Sequence, residues 1–269
     1  MTKCTILKSW SGKKVSEMEM QMLFERNIQL LFFQDHIAFW TNKVDADFHQ
    51  HHYIQLTLAI GSTFFVEVDG REFTTSGVLI DSKKQHRLQG TNGWQLYLLV
   101  SPESVFGESL KNKIKTNKGF MLLDSDEIQS PEYILDITSW KDREHYDLLL
   151  SNLKKTLGIA VVDTDSRLDS RIQQALDFIS DHTIEEINLR QISKYVHLSE
   201  SRLSHLFKEE MGISLTGYLL HEKLKRAFLL IFGGKSLTES ALEAGFNSSS
   251  HFTRSAREKL GMTPSAIKK

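Results

Sequence analysis

The chain has 269 residues, of which 40% are hydrophobic and 25% are charged, and its formal net charge is −1. This length accommodates two ordinary domains, and the composition is typical of a soluble globular protein rather than of a disordered one. No apolar run reaches the length of a membrane span and Met1–Trp10 is not a secretory signal, so we expect a cytoplasmic protein without a membrane partner. The single cysteine, Cys4, excludes an internal disulfide and a zinc cluster of several cysteines.

Charge is unevenly divided along the chain. From Ser166 onward, 15 Lys and Arg residues stand against 12 Asp and Glu residues, whereas the preceding part has 18 against 22. Phosphate binding needs local rather than global positive charge, so this asymmetry weakly favours a DNA-facing C-terminal part.

The first hundred residues have the pattern of β-strands. In Tyr53–Ile60 apolar residues alternate with polar ones, which indicates a strand with one apolar face. Phe64–Val68 and Arg71–Thr74 flank Asp69-Gly70, a pair that supplies the positive φ angles of a type I′ hairpin turn. Further short apolar runs are Val78–Ile80 and Trp94–Val100. Several short strands close together predict an antiparallel barrel or sandwich.

The periodicity becomes helical near residues 141–157 and is helical again from Leu168 almost to the end. We therefore predict an N-terminal domain over 1–157, a linker over 158–168 and an all-α domain over 169–269. The helix near 141–157 carries a leucine stripe. This stripe predicts packing either against a second copy of the chain or against the β-strands of its own domain.

A helix-turn-helix unit follows a predicted helix over Leu168–His182. A short helix over Leu189–Val196 precedes a tight turn and Ser199, a favourable N-cap for a second helix that Gly212 ends. Polar residues recur on one face of this second helix at helical spacing: Ser201, Ser204, His205 and Lys208. Such groups suit base edges and phosphates in a major groove, and a solvated helix face has the same pattern.

The same arrangement recurs after a long helix over Leu215–Ile231. A short helix over Leu237–Ala244, a Gly245-Phe246-Asn247 turn and a helix from Ser248 to Gly261 repeat the first unit. A stiff helix between two such units would hold them at a fixed separation. One chain could then contact two successive major grooves, which lie about 34 Å apart.

The expected DNA-binding residues come from both units. They are Ser199, Ser201, Arg202, Ser204, His205, Lys208, Ser248, Ser249, Ser250, His251, Thr253, Arg254 and Arg257. We expect the largest contribution from Arg254, because its guanidinium can bond a guanine edge in bidentate fashion or hold a phosphate.

From about Leu168 to Lys269 the chain resembles the AraC/XylS family of transcription regulators. The residues that carry the resemblance are Leu198–Leu203, Leu206–Lys208, Gly212–Ser214, Tyr218-Leu219, Ala244–Phe246, His251–Arg254 and Gly261–Ser265. The closing Gly-Met-Thr-Pro-Ser is the most specific of these. The family usually has Arg where Lys223 stands and an aromatic where Ala256 stands, and the first unit carries smaller side chains than usual. The resemblance implies binding of double-stranded DNA through both units and pairing as a homodimer through the region of the helix near 141–157.

The N-terminal part resembles, more weakly, the cupin-type barrel of many AraC-like regulators. The resemblance rests on His49-Gln50-His51, the following strand, the Asp69-Gly70 hairpin, Ser76–Ile80 and Gln85-His86-Arg87. The implied fold class is α+β multidomain. A cupin-like antiparallel β-barrel for effector sensing and dimerisation precedes an all-α domain with two helix-turn-helix units.

Polar residues of the cupin-like segment leave three interpretations open. They form an effector pocket, they are structural or surface residues, or their histidines bind a metal. The residues concerned are His49, His51, Tyr53, Gln55 and His86, with His49, His51 and His86 the weak metal candidates. Metal-bearing cupins place a carboxylate where this chain has Gln55, and a neutral amide is a poor ligand for hard metals. We therefore favour the effector pocket and expect no metal or other cofactor.

The sequence leaves three functions open. The favoured one is a non-enzymatic transcription regulator that responds to an unidentified small-molecule effector, with DNA, a second copy of the chain and RNA polymerase as candidate partners. A cupin metalloenzyme with a DNA-binding module is disfavoured by the incomplete ligand set. An interaction protein that no longer binds DNA is disfavoured by Arg254 and Arg257 in the second unit.

Overall fold

A computed structural model describes residues 23–25, 28–33, 35–42, 45–59, 61–90, 93–123, 143–159, 168–182, 187–261 and 263–265. Cys4 and most of the predicted linker 158–168 lie outside the described residues. Residues 27–166 form one compact unit and residues 167–269 belong to another. No helix within the described ranges is both long and apolar enough to cross a membrane.

The strands of the described residues all precede residue 124. They are β1 (Leu23–Glu25), β2 (Ile28–Phe32), β3 (His36–Thr41), β4 (Asp45–His49), β5 (Ile54–Ala59), β6 (Phe64–Val68), β7 (Arg71–Thr75), β8 (Gly77–Ile80), β9 (His86–Gln89), β10 (Gln95–Val100) and β11 (Phe120–Leu123). Within the 27–166 unit, one sheet has the order β2-β3-β10-β5-β8-β11 and a smaller sheet has the order β4-β9-β6-β7. The described pairings in both sheets are antiparallel.

The helices of the described residues fall mainly in the C-terminal unit. They are α1 (Val105–Ile114), α2 (Arg143–Thr156), α3 (Ser170–Asp181), α4 (Leu189–Tyr195), α5 (Glu200–Met211), α6 (Leu215–Phe232), α7 (Leu237–Glu243) and α8 (Ser249–Leu260). An antiparallel β-unit followed by a helical unit confirms the predicted fold class.

The Asp69-Gly70 turn folds as its sequence predicts. Asp69 and Gly70 have φ angles of 51° and 72°, and Val68 pairs with Arg71 across the hairpin. Positive φ at both central residues matches the right-handed twist of the flanking strands.

Strand β5 is buried on both of its faces, not only on the apolar one. Its polar residues Gln55 and Thr57 are as buried as its leucines. Gln55 lies within 3.2 Å of His86 at the start of β9, so the polar face of one sheet contacts the other sheet. The polar residues of this segment are therefore interior, not solvent-facing.

Helix α2 lies against its own β-unit through part of its surface. Tyr146 Oη is 2.5 Å from His36 Nε2 on β3, and its ring stacks on Phe33 with centroids 4.4 Å apart. Leu149 and Leu153 are buried in the single chain, whereas Leu148 stays 51% exposed. The predicted leucine stripe is thus divided between an inner and an outer face.

Candidate nucleic-acid interface and effector pocket

The first helix-turn-helix unit is defined by polar caps. Asn188 and Gln191 form a reciprocal capping box at the start of α4, in which each side chain accepts the other residue's backbone N–H. Ser199 Oγ accepts the Arg202 N–H at 3.2 Å and begins α5, and Gly212 ends α5 with a φ of 63°. These contacts satisfy backbone groups that helix ends leave unpaired, so the sequence itself sets where each helix starts and stops.

The second unit has the same kinds of helix caps, formed by different residues. Ser236 and Glu239 form the capping box of α7, and Ser248 Oγ accepts the His251 N–H at 3.1 Å to begin α8. Gly261 ends α8 with a φ of 72°. The N-caps Ser199 and Ser248 and the closing Gly212 and Gly261 were predicted from the sequence, and the structure confirms them.

The apolar faces of α5 and α8 are turned inward. Leu203 and Phe207 of α5 are fully buried, and so are Phe252 and Ala256 of α8. Burying a large apolar side chain stabilises a fold by about 1.5–3 kcal/mol, so these faces hold each unit together. Ala256 contributes little volume to this core. The neighbouring Phe252 ring packs against the Phe228 ring of α6, with the ring centroids 5.6 Å apart.

The opposite faces of α5 and α8 carry the residues predicted to bind DNA. Ten of these are exposed and three, Ser204, Ser249 and Thr253, are half-buried. In α5 the Ser204 hydroxyl donates to the Glu200 carbonyl at 2.8 Å, which occupies its only donor hydrogen. In α8 the polar face forms a shallow concavity lined by Ser249, Ser250, Thr253, Arg254, Arg257 and Thr263.

Thr263 lines the same concavity but was not among the residues predicted to bind DNA. It lies outside α8, two residues after Gly261, so no helical spacing points to it. Its position within the closing Gly-Met-Thr-Pro-Ser motif is the signal that could have found it.

A lysine on the connecting helix supports the second turn. Lys223 Nζ of α6 donates to the Gly245 carbonyl oxygen at 2.8 Å. Gly245 adopts a φ of 82° in the turn between α7 and α8. The corresponding αL residue in the first turn is His197, with a φ of 56°. A charge-assisted hydrogen bond therefore ties α6 to the turn that positions α8.

The predicted effector-pocket residues come together in the N-terminal unit. His49 pairs with His86 across β4 and β9, and His51 lies beside both. The ring centroids are 4.3 Å apart for His49–His86, 5.1 Å for His51–His86 and 5.6 Å for His49–His51. His51, His86, Tyr53 and Gln55 are buried, and His49 is half-buried.

Burial keeps the interior histidines neutral. Desolvation lowers the pKa of His51 to about 4, opposed in part by its contact with Gln55. Desolvation and the neighbouring His51 and His49 hold the pKa of His86 well below its ordinary value. A neutral imidazole has one nitrogen that can accept a hydrogen bond or bind a metal.

Comparison with known proteins bears on both units. Residues 192–269 match the family described as "Helix-turn-helix domain". The probable transcriptional regulator LumQ of Photobacterium leiognathi is 25% identical over 229 residues, which cover 81% of this chain and 90% of LumQ. An uncharacterized HTH-type transcriptional regulator of Staphylococcus aureus is 33% identical over 97 residues, and the match covers 36% of this chain but only 13% of that protein.

Among solved structures, ToxT of Vibrio cholerae is 12% identical, and the alignment covers 90% of this chain and 98% of ToxT with a TM-score of 0.49. The family match begins within α4 and covers the rest of both helix-turn-helix units, and the match to LumQ extends over most of the chain. Residues 192–269 therefore form a DNA-binding helix-turn-helix domain of the AraC type, and over most of its length the chain is similar to a probable transcriptional regulator.

Proposed function

We propose that this regulator binds a specific DNA sequence through α5 and α8 and that an effector in the N-terminal unit controls the binding. The repeated cap–turn–cap geometry supports the proposal, because it presents a polar, cation-bearing face on each of two equivalent helices. Effector control then requires a ligand that favours one arrangement of the DNA-binding units over another.

The effector pocket of the proposal is the buried polar cluster of the N-terminal unit, made of His49, His51, Tyr53, Gln55 and His86. Buried polar groups cost stability unless they are paired, and they contribute less to a core than leucines do. The cluster between the two sheets therefore contributes less to folding than leucines would, which supports a ligand-binding role for it.

Pairing of two chains through α2 is a further part of the proposal. Leu148 is 51% exposed on this helix, while its stripe neighbours are buried. Replacing Leu148 with Glu is expected to weaken a dimer without unfolding the chain, which sedimentation velocity would measure. The matched control is Ser151→Glu on the same exposed side of α2. Equal dissociation by both variants, or by neither, would contradict the assignment of Leu148 to the interface.

The regulator is further proposed to act in the cytoplasm, without enzymatic activity, and with RNA polymerase as a candidate partner.

Selection of genomic DNA fragments by the purified full-length chain tests sequence-specific binding. We expect a few fragments to be strongly enriched and to share a motif with two half-sites about one helical turn apart. Fluorescence anisotropy on the enriched duplex should then show affinity that falls steeply with salt. A chain with both Arg254 and Arg257 changed to Ala is the control. Equal enrichment of all fragments by the wild-type chain would contradict the proposal.

A further inference from the structure

Helix α2 has more leucines than a single inward face requires. Leu148, Leu149 and Leu150 are consecutive, and successive residues of a helix point about 100° apart around its axis. Leu149 is buried, Leu150 is half-buried and Leu148 is exposed. Because the burial of apolar surface is not directional, leucines alone would let α2 pack on the β-unit in more than one rotational setting.

A buried polar contact selects one of these settings. Tyr146 Oη of α2 lies 2.5 Å from His36 Nε2 on β3, and the two side chains belong to residues that are 1% and 3% exposed. A hydrogen bond weakens steeply with distance and misalignment, so a rotation of α2 that a leucine tolerates would break this one. Breaking it would leave buried polar groups with one partner fewer, which is costly.

The His36 ring is itself held in one orientation. Desolvation would raise the pKa of Asp35, but the nearby His36 and Lys154 outweigh it and hold that pKa below its usual value, so the carboxyl group is ionised. Asp35 Oδ1 therefore accepts the hydrogen of His36 Nδ1, 2.6 Å away, and Nε2 is turned towards Tyr146. The Phe33 ring stacks on the His36 and Tyr146 rings, with centroids 4.4 Å apart in both pairs.

A second contact of α2 is less exacting, and its neighbour α1 is rigidly packed. Lys154 Nζ of α2 lies 4.6 Å from the centre of the Phe106 ring of α1. A long flexible side chain can keep such a contact over a range of helix positions. A Cβ atom at Gly107 would lie 1.9 Å from the Ser101 carbonyl oxygen, so α1 sits directly on the backbone beneath it. Helix α1 is thus a fixed reference for the rotation of α2.

We propose that Asp35, His36 and Tyr146 are positioning residues that set the rotation of α2 and thereby decide which of its side chains a second copy of the chain meets. In the observed setting Leu148 is turned outward and is 51% exposed. Buried polar contacts of this kind contribute specificity more than stability, because apolar residues of similar volume often stabilise a fold as well or better. The inference rests on the proposed pairing through α2 only for its effect on the dimer.

Pulsed electron paramagnetic resonance measures the rotation of α2 within one full-length chain. Spin labels at Lys111→Cys of α1 and Ser151→Cys of α2, both at exposed positions, report the distance between the two helices in a Cys4→Ser background. Labelled chains are diluted with unlabelled chain so that distances within one chain dominate. We expect one narrow distance distribution when Tyr146 is present and a broadened distribution or a second distance for Tyr146→Phe.

A double variant separates the position of α2 from the stability of the fold. Tyr146→Phe leaves the buried His36 ring with one hydrogen bond fewer and should lower the midpoint of thermal unfolding. Combining it with His36→Leu removes both partners and should recover that loss, because the carboxylate of Asp35 is 34% exposed and can be hydrated instead. We nevertheless expect the double variant to keep the broadened distance distribution. Its dimer dissociation constant, measured by sedimentation velocity, should rise at least about tenfold.

Val66→Ala on β6 is the matched control. Val66 is fully buried in the smaller sheet, so this change lowers the midpoint of thermal unfolding without touching α2. It should leave both the narrow distance distribution and the dimer dissociation constant as they are.

Three results would overturn the proposal. They are a narrow, unshifted distance in Tyr146→Phe, a return of the narrow distance in the double variant together with its stability, and a broad distance when all three positioning residues are present. Failure of the proposed pairing has a different signature. A chain that stays monomeric at every concentration contradicts the dimer but leaves the distance within one chain measurable.

Discussion

The two helix-turn-helix units share one backbone plan but differ in charge. Both begin with a capping box, continue through an αL turn residue and a serine N-cap, and end at a glycine. Recognition helix α5 carries two Lys and Arg residues against three carboxylates, whereas α8 carries three against one. The polar caps specify the fold, and the exposed residues between them determine how strongly each unit attracts phosphate.

The first unit is also less free to contact bases. The Ser204 hydroxyl donates within its own helix, while Glu209 and Glu210 stand exposed at the end of α5. In α8 the corresponding face holds Arg254 and Arg257 beside a concavity that Thr263 extends. We therefore predict that α8 supplies most of the affinity and specificity for DNA, and that α5 mainly positions the protein on the duplex.

The largest expected effect comes from removing the main cation of α8. Arg254→Ala should weaken binding to the selected duplex by about 1–3 kcal/mol, roughly 10- to 150-fold, because a bidentate guanine contact or a charged phosphate contact is lost. Ser204→Ala on α5, where the hydroxyl already donates within its own helix, should alter affinity less than about twofold. Fluorescence anisotropy of both variants measures the difference, with thermal unfolding as the check on folding. Comparable losses of DNA affinity in the two variants would contradict the proposed asymmetry between α8 and α5.

The next largest expected effect is on folding stability, through the hydrogen bond that supports the turn between α7 and α8. Lys223→Met removes the hydrogen bond to the Gly245 carbonyl and should lower the free energy of unfolding by about 1–2 kcal/mol. Lys225→Met on the same helix removes only an ion pair with Glu222 and should cost about 0.3–0.5 kcal/mol. Lys223→Arg, the residue usual in the family, should retain most of the stability. Urea unfolding of the three variants checks this order, and equal losses for Lys223→Met and Lys225→Met would refute it.

The smallest expected effect on folding stability comes from the left-handed residue in the turn of each helix-turn-helix unit. His197 adopts a left-handed φ of 56°, where the second unit has Gly245. The left-handed conformation costs a non-glycine residue about 1–2 kcal/mol, and glycine costs about 0.5–1 kcal/mol more entropy on folding. His197→Gly should therefore stabilise the chain by about 0.5 kcal/mol, while Gly245→Ala should destabilise it. A loss of stability in His197→Gly, measured by urea unfolding, would mean that the imidazole makes a stabilising contact.

Local sequence signals were sufficient to predict where the helices of the C-terminal unit begin and end. Capping residues and closing glycines act within four residues of the helix ends that they define, so Ser199, Gly212, Ser248 and Gly261 could be recognised without knowing the fold. The Asp69-Gly70 hairpin was predictable for the same reason, because its turn chemistry is contained in two residues.

Contacts between distant residues could not be predicted in this way. Tyr146 meets His36 across 110 positions, Lys223 meets Gly245 across 22, and His86 meets Gln55 across 31. Sequence periodicity placed Gln55 on a polar strand face but did not show that the second sheet covers that face. The approach of the three histidines likewise depends on the pairing of β4 with β9, which no local pattern encodes.

The asymmetry between the two units is tested most directly by scrambling one half-site of the selected duplex at a time and measuring the affinity of the wild-type chain by fluorescence anisotropy. We predict that scrambling the half-site contacted by α8 weakens binding at least about tenfold. This half-site is the one whose scrambling leaves the wild-type chain and Arg254→Ala with the same affinity. Scrambling the half-site contacted by α5 should weaken binding less than about threefold. Equal losses from the two half-sites, or a larger loss from the α5 half-site, would contradict it.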